Sequence, residues 1–331
     1  MKIAIVKLSA MGDIIHAMVA LQFLKAAYPS LRIDWIVEKV FVPVLQGNPH
    51  IDTILPVELK RLKKERSAFL EVLQKVRRYA SNEYDLVIDA QGLLKSAIVA
   101  RLLGKRRAGF SYRSTRERAA SLLYTHKVVI PYDANTIDRN AKVLGEPLGV
   151  TITPEMIHNK EPFLFYEKRE SIEPYLSQEK RNVIFVIGST WESRNYPKEH
   201  FVKVANLLGE NILIVWGSNE ERERAEWIAA HSSNAKVLPR LDLNALKCVI
   251  GRADLTIGND TGPTHMAWGL NRPSITLFGP TPTSRVYETA INKVIDSPSI
   301  VDPFHLDKED FSIAKIAPEN VADTARELLN G

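Results

Sequence analysis

A single cysteine, Cys248, in 331 residues rules out an intrachain disulfide framework. It lies in the apolar run Leu246-Lys247-Cys248-Val249-Ile250 and reads as core packing in a reducing compartment. No apolar run approaches the roughly 20 residues a membrane-spanning helix needs, so any membrane contact is expected to be peripheral. The start, Met1-Lys2-Ile3-Ala4-Ile5-Val6-Lys7, enters a strand pattern directly without a basic segment leading to an apolar one, and a cytoplasmic location is expected. Zinc-ligand spacing, a P-loop, a G-x-S-x-G elbow and a G-x-G-x-x-G fingerprint are all missing. Their absence argues against zinc chemistry, P-loop nucleotide hydrolysis, the α/β-hydrolase mechanism and nicotinamide redox chemistry. Internal repeats and low-complexity segments are missing too.

With 45% apolar and 25% charged residues, the composition is that of a globular protein, and the length exceeds what one core usually serves. Two domains are expected. The first half alternates strand and helix patterns: Lys2 to Leu8, Ile14 to Ala27, Arg32 to Val37, Ile51 to Val57, Ser67 to Tyr79, Tyr84 to Asp89, Leu93 to Leu103. The pattern loosens between about 150 and 181, where Pro154, Pro162 and Pro174 fall, and resumes with strands at 182–187, 212–216, 237–238, 254–257 and 274–278 separated by helical segments. This predicts an α/β protein of two doubly wound, Rossmann-like domains, residues 1–160 and 161–317. Their carboxyl-end loops are expected to face a shared cleft, and a last helix, 318–331, to pack back toward the first domain.

Loops at strand ends carry the chemistry. The stretch Gly258-Asn259-Asp260-Thr261-Gly262-Pro263-Thr264-His265 joins a buried strand to a helix. The first free N–H groups of that helix, the Thr261 hydroxyl and the close approach allowed by Gly262 suit a diphosphate, with His265 placed to point toward the same site. An ordinary capped turn is the other reading. Ser189-Thr190-Trp191-Glu192-Ser193-Arg194 ends another strand of the same sheet, where Arg194 suits phosphate oxygens or simply lies on the surface. After Trp216-Gly217-Ser218, Glu221 either receives ribose hydroxyls or complements a helix dipole. In the first half, Lys7-Leu8-Ser9-Ala10-Met11-Gly12-Asp13 places a carboxylate at a helix start, as a general base or as a cap.

Net charge is +5, and the excess concentrates in the first half: Lys60-Arg61-Leu62-Lys63-Lys64-Glu65-Arg66, Lys75 to Arg78, Lys105 to Arg107 and Arg113 to Arg118. An anionic partner or membrane surface is expected there; nucleic acid is not, because no recognised motif accompanies the charge.

These residues together resemble the lipopolysaccharide heptosyltransferases of glycosyltransferase family 9, two-domain GT-B enzymes, with the type I pattern nearest. The resemblance rests on Val6-Lys7-Leu8-Ser9-Ala10-Met11-Gly12-Asp13, Ile88-Asp89-Ala90-Gln91-Gly92-Leu93-Leu94-Lys95-Ser96, Trp216-Gly217 with Glu221 and Arg224, and Asp260-Thr261-Gly262 with His265. It implies inverting transfer of L-glycero-D-manno-heptose from ADP-L-glycero-β-D-manno-heptose to the inner Kdo of Kdo2-lipid A, at the cytoplasmic face of the inner membrane, with no metal or other cofactor. It further implies Asp13 as the catalytic base. Ser189, Thr190, Arg194, Glu221, Leu241, Asp260, Thr261, Gly262 and His265 become donor-binding residues, and Lys60, Arg61, Lys63, Lys64 and Arg116 acceptor-binding ones. Ser189, Arg194 and Leu241 stand where the family usually has threonine, lysine and methionine. A type II heptosyltransferase, a sugar-nucleotide epimerase on two similar domains, and a non-catalytic module for acidic glycolipid or nucleic acid are the rival readings.

Overall fold

A computed structural model describes residues 1–63, 67 and 69–331; Lys64 lies outside the described residues. The chain divides into two compact units, Met1–Phe163 and Leu164–Gly331, a boundary just beyond the expected residue 160. Backbone bonding changes hands there: Phe163 O accepts from Asn48 Nδ2 at 2.9 Å in the first unit, and Leu164 N donates to Gly269 O at 3.2 Å in the second.

The first unit runs β1 (Lys2–Val6), α1 (Met11–Met18), α2 (Ala20–Ala27), β2 (Arg32–Glu38), α3 (Val42–Leu45), β3 (Thr53–Val57), α4 (Phe69–Ala80), β4 (Leu86–Asp89), α5 (Leu94–Leu103), β5 (Arg107–Phe110), β6 (His126–Val128), α6 (Thr136–Gly145) and α7 (Pro154–His158). Its six strands are parallel in the order β3-β2-β1-β4-β5-β6. Ile3 sits opposite Ile33 on one side and Leu86 on the other. Ile3 through Val6 are fully buried, as expected of a central strand covered on both faces by helices.

The second unit runs β7 (Asn182–Val186), α8 (Lys198–Leu208), β8 (Asn211–Val215), α9 (Asn219–Ala230), β9 (Ala235–Val237), α10 (Leu243–Arg252), β10 (Leu255–Asn259), α11 (Gly262–Gly269), β11 (Ser274–Phe278), β12 (Asn292–Asp296) and α12 (Pro318–Asn330). Its parallel order, β12-β11-β10-β7-β8-β9, repeats the topology of the first unit. In each sheet the strand order reverses beside the unit's first strand, between β1 and β4 and between β7 and β10. Loops leaving the carboxyl ends of such a pair diverge to opposite faces and leave a crevice where ligands of this fold class bind.

Two differences from the sequence reading have local causes. The helix expected over 14–27 begins at Met11 and is broken at Val19 into α1 and α2. The strands β5, β6 and β12 and the helix α6 leave little pattern in the sequence because they are short, as in Arg107–Phe110, or carry several polar residues, as in Asn292–Asp296. The last helix, α12, belongs to the second unit and packs on α8. Its stripe of Val321, Ala322 and Ala325 is buried, with Val321 and Ala325 in the same core as Phe201 and Val204, and Arg326 Nη2 donates to Leu207 O at 2.7 Å.

Candidate functional site

In the first unit the reversal point gathers the loop after β1 and the loop after β4. Gln91 Oε1 accepts from both Leu8 N and Ser9 N, each at 3.0 Å, and so fixes the backbone that leads into α1. Lys7 reaches the other way: its Nζ donates to Ala90 O at 2.8 Å and Asn140 Oδ1 at 3.1 Å. Burial pulls the Lys7 pKa down, against the opposing pull of the Asp13 and Asp89 charges. Asp89 itself is fully buried; its carboxyl takes Tyr124 Oη at 2.7 Å and the N–H groups of Gln91 and Gly92 at 2.9 and 3.1 Å. Burial still pushes its pKa up, since desolvation outweighs those hydrogen bonds.

Asp13 is the third residue of α1 and half-buried, and its Oδ2 accepts from Ala10 N at 3.2 Å. The capping role considered for it is therefore present, made by one carboxylate oxygen. Such a bond leaves a carboxylate able to accept a further proton donor, so capping and base chemistry coexist at this residue.

Of the basic residues named for the acceptor, Lys60, Arg61 and Arg116 are exposed in the same unit. Lys60 and Lys63 belong to the turn Leu59–Lys63 that follows β3. Lys60 is anchored through its backbone N–H to Glu38 Oε1 at 3.1 Å, its ammonium 5.2 Å from the Phe41 ring centre. Burial raises the Glu38 pKa, while the hydrogen bond and charge of Lys60 and the charge of Lys95 draw it down. Arg61 pairs with Glu71 Oε2 at 3.0 Å, and Arg116 is exposed between β5 and β6.

The second unit builds its site at the reversal between β7 and β10. Asp260, which is 2% exposed, lies between charged or hydroxylic groups from two loops and a helix. From the loop after β7, Arg194 Nη2 donates to Asp260 Oδ2 at 2.6 Å and also to its backbone carbonyl. From α11, His265 Nε2 bonds Oδ1 at 3.0 Å. From the loop after β11, Thr281 Oγ1 donates to Oδ2 at 2.9 Å and Arg285 Nε lies 4.0 Å from the same oxygen. Burial by itself would raise the Asp260 pKa; the His265 hydrogen bond and the Arg194 and Arg285 charges overcome it and hold the carboxyl well below the usual carboxylate range.

Thr261 caps α11 in extended conformation, and the next N–H donors are those of Gly262 and Thr264, since Pro263 has none. They form the positive end of the helix dipole. A side chain at Gly258 would meet Val186 Cβ at 2.5 Å and Thr264 Oγ1 at 2.7 Å, so only glycine lets β10 and α11 approach this closely. Glu221 completes a capping box on α9, its Oε2 taking Ser218 N at 3.4 Å and also Gly217 N at 2.6 Å, while its own N–H bonds Ser218 Oγ at 3.2 Å. Its carboxylate lies against Gly188, where a Cβ would come within 2.0 Å of Oε1. Glu221 is thereby brought beside Ser189, half-buried after β7, with Thr190 exposed next to it. Leu241 is half-buried in the loop after β9, two strands out from β7 along the same sheet edge.

Arg194, Asp260, Thr261, Gly262 and His265 are thus a single cluster. Gln91, Lys7, Thr281 and Arg285 are members of the two reversal-point sites that sequence reading did not assign. The one signal for Thr281 and Arg285 was their place in Gly279-Pro280-Thr281-Pro282-Thr283-Ser284-Arg285, directly after a buried strand. Among the described residues there is no group of three metal-ligating side chains and no helix long and apolar enough to cross a membrane.

Comparison with known proteins agrees with this arrangement. The Campylobacter coli lipopolysaccharide heptosyltransferase 1 is 37% identical over 99% of both chains. The Escherichia coli K12 lipopolysaccharide heptosyltransferase 1 is 31% identical over 85% of this chain and 88% of its own. The structure of E. coli heptosyltransferase WaaC with ADP-2-deoxy-2-fluoro heptose superimposes with a TM-score of 0.80 at 26% identity, covering 99% of each chain. The sequence profile of glycosyltransferase family 9 (heptosyltransferase) matches residues 72–297, so with both reversal-point sites in place the chain belongs to that family.

Proposed function

We propose that the protein transfers L-glycero-D-manno-heptose from ADP-L-glycero-β-D-manno-heptose to the inner Kdo of Kdo2-lipid A, with inversion at the anomeric carbon. The observation that carries this reading is the end-to-end similarity to heptosyltransferase 1 proteins, retained across both units. In the second unit, the N–H groups of Gly262 and Thr264 and the Thr261 hydroxyl hold the diphosphate and, with the positive charge of Arg194 beside them, stabilise the charge that develops on ADP as it leaves. Glu221 receives the ribose hydroxyls, and Leu241 supplies an apolar wall for adenine. In the first unit, Asp13 takes the proton of the attacking acceptor hydroxyl. These groups belong to the chain itself, and the reaction in this reading uses no metal or other cofactor.

The acceptor is recognised by its anionic head. Lys60, Arg61, Lys63, Lys64 and Arg116 meet its phosphates and carboxylates while its acyl chains stay in the membrane, which places the protein peripherally on the cytoplasmic face of the inner membrane. Support for this comes from the exposure of Lys60 and Arg116 and from the charge excess of the first half. The test is acceptor dependence. ADP release from ADP-heptose should require Kdo2-lipid A; isomerised donor formed without acceptor would favour an epimerase and defeat the proposal.

A further inference from the structure

Two guanidinium groups stand beside one carboxylate in the second unit, and they are not equivalent. Arg194 is 12% exposed and is spent on Asp260, through both its Oδ2 and its backbone carbonyl. Arg285 is 35% exposed and makes only a 4.0 Å ionic contact with the same carboxylate. Its Nε is buried with no hydrogen-bond partner among the described residues, a state that costs free energy unless something else accepts from it. The charges do not cancel: leaving His265 aside, one ionised carboxylate against two guanidinium groups leaves a net positive charge beside the N-terminus of α11.

We propose that Arg285 is a binding residue for the donor diphosphate, supplying the accessible positive charge of the site, while Arg194 serves mainly to lock Asp260 and the turn that presents the α11 N–H groups. This deepens the donor reading given above and rests on it. The chemistry is that of a planar, permanently charged donor whose forked N–H groups match two phosphate oxygens, placed where a helix terminus already favours an anion. Thr281, on the same loop, touches the carboxylate without charge: its hydroxyl donates to Asp260 Oδ2 at 2.9 Å.

The test is calorimetric titration of ADP into wild-type protein, Arg285→Gln, Arg285→Lys and Thr281→Val, with adenosine binding followed by ligand-observed NMR. Loss of a charge-assisted hydrogen bond predicts ADP affinity weaker by about 10- to 100-fold in Arg285→Gln, with adenosine affinity unchanged. Arg285→Lys should recover part of the loss, because it keeps the charge without the fork. Thr281→Val removes a contact to Asp260 but no charge. If Arg285 acted only by holding Asp260, Thr281→Val would weaken ADP as much as Arg285→Gln, and that result would overturn the inference. Wild-type affinity for ADP in Arg285→Gln, or an equal loss of adenosine, would overturn it as well. Wild-type protein that bound no ADP would instead overturn the donor reading on which the inference stands.

Discussion

Arg194 Nη2 lies 2.6 Å from Asp260 Oδ2 across the reversal point of the second sheet, joining the loop after β7 to the turn after β10. The pair is almost wholly buried, at 12% and 3% side-chain exposure, so it is held by geometry more than by solvent. Removing one partner of an isolated buried pair typically costs about 3–5 kcal/mol; His265, Thr281 and Arg285 remain beside Asp260, so the loss here is expected at the lower end of that range. Arg194→Ala is therefore expected to lower the denaturant midpoint substantially and to weaken ADP binding, because the α11 turn loses its anchor. Urea melts and ADP titration check this, and unchanged values for both would contradict the role assigned to the pair.

The same carboxylate gives a pH signature. Its folded pKa is held below the ordinary value near 3.8, so its ionised form stabilises the fold at pH values above the unfolded pKa. That stabilisation is lost as pH falls from there toward the lower folded pKa. Asp260→Asn cannot ionise, so the stability gap between wild type and variant should narrow as pH falls below about pH 4. Urea midpoints at a series of pH values measure the gap; a gap that widened in acid would reverse the assigned sign.

At Asp13 capping and catalysis separate by substitution. Asp13→Asn keeps an oxygen able to accept from Ala10 N but cannot take a proton as a base. Turnover in Asp13→Asn should fall by about 100-fold or more with thermal stability and ADP affinity near wild type. Asp13→Ala should lose turnover equally and also about 1 kcal/mol of stability from the missing cap. Turnover close to wild type in Asp13→Asn would remove this residue as the base.

Gln91 supports that loop from outside the reacting groups. Gln91→Ala leaves Leu8 N and Ser9 N without the oxygen they share, at a cost of about 1–3 kcal/mol for a buried donor left unsatisfied. We expect a lower kcat with ADP affinity unchanged, since the loop carries Asp13 and belongs to the first unit. Steady-state kinetics and calorimetry on the same preparation distinguish this from general destabilisation, which would weaken both.

How much of this was legible in the sequence depended on range. Both sheets were readable because their central strands, such as Ile3 to Val6 and Ile212 to Val215, are buried on both faces and form unbroken apolar runs. The Asp260 turn was readable because a strand, a capping residue, Gly262 and Pro263 follow one another within a few positions. The partners of those features were not. Gln91 meets Leu8 across 83 positions and Arg194 meets Asp260 across 66, and no local pattern encodes a pairing created by two strands becoming neighbours. The last helix shows the same limit: its place in the sequence was readable, but the choice of α8 as a surface that covers it is made by tertiary packing.

The most direct test of heptose transfer is mass spectrometry of Kdo2-lipid A after incubation with the protein and ADP-heptose, beside a parallel reaction with Asp13→Asn. The acceptor should gain a single heptosyl unit with wild-type protein and almost none with the variant. An acceptor left unmodified by the wild-type protein, with the donor isomerised or hydrolysed instead, would contradict the account.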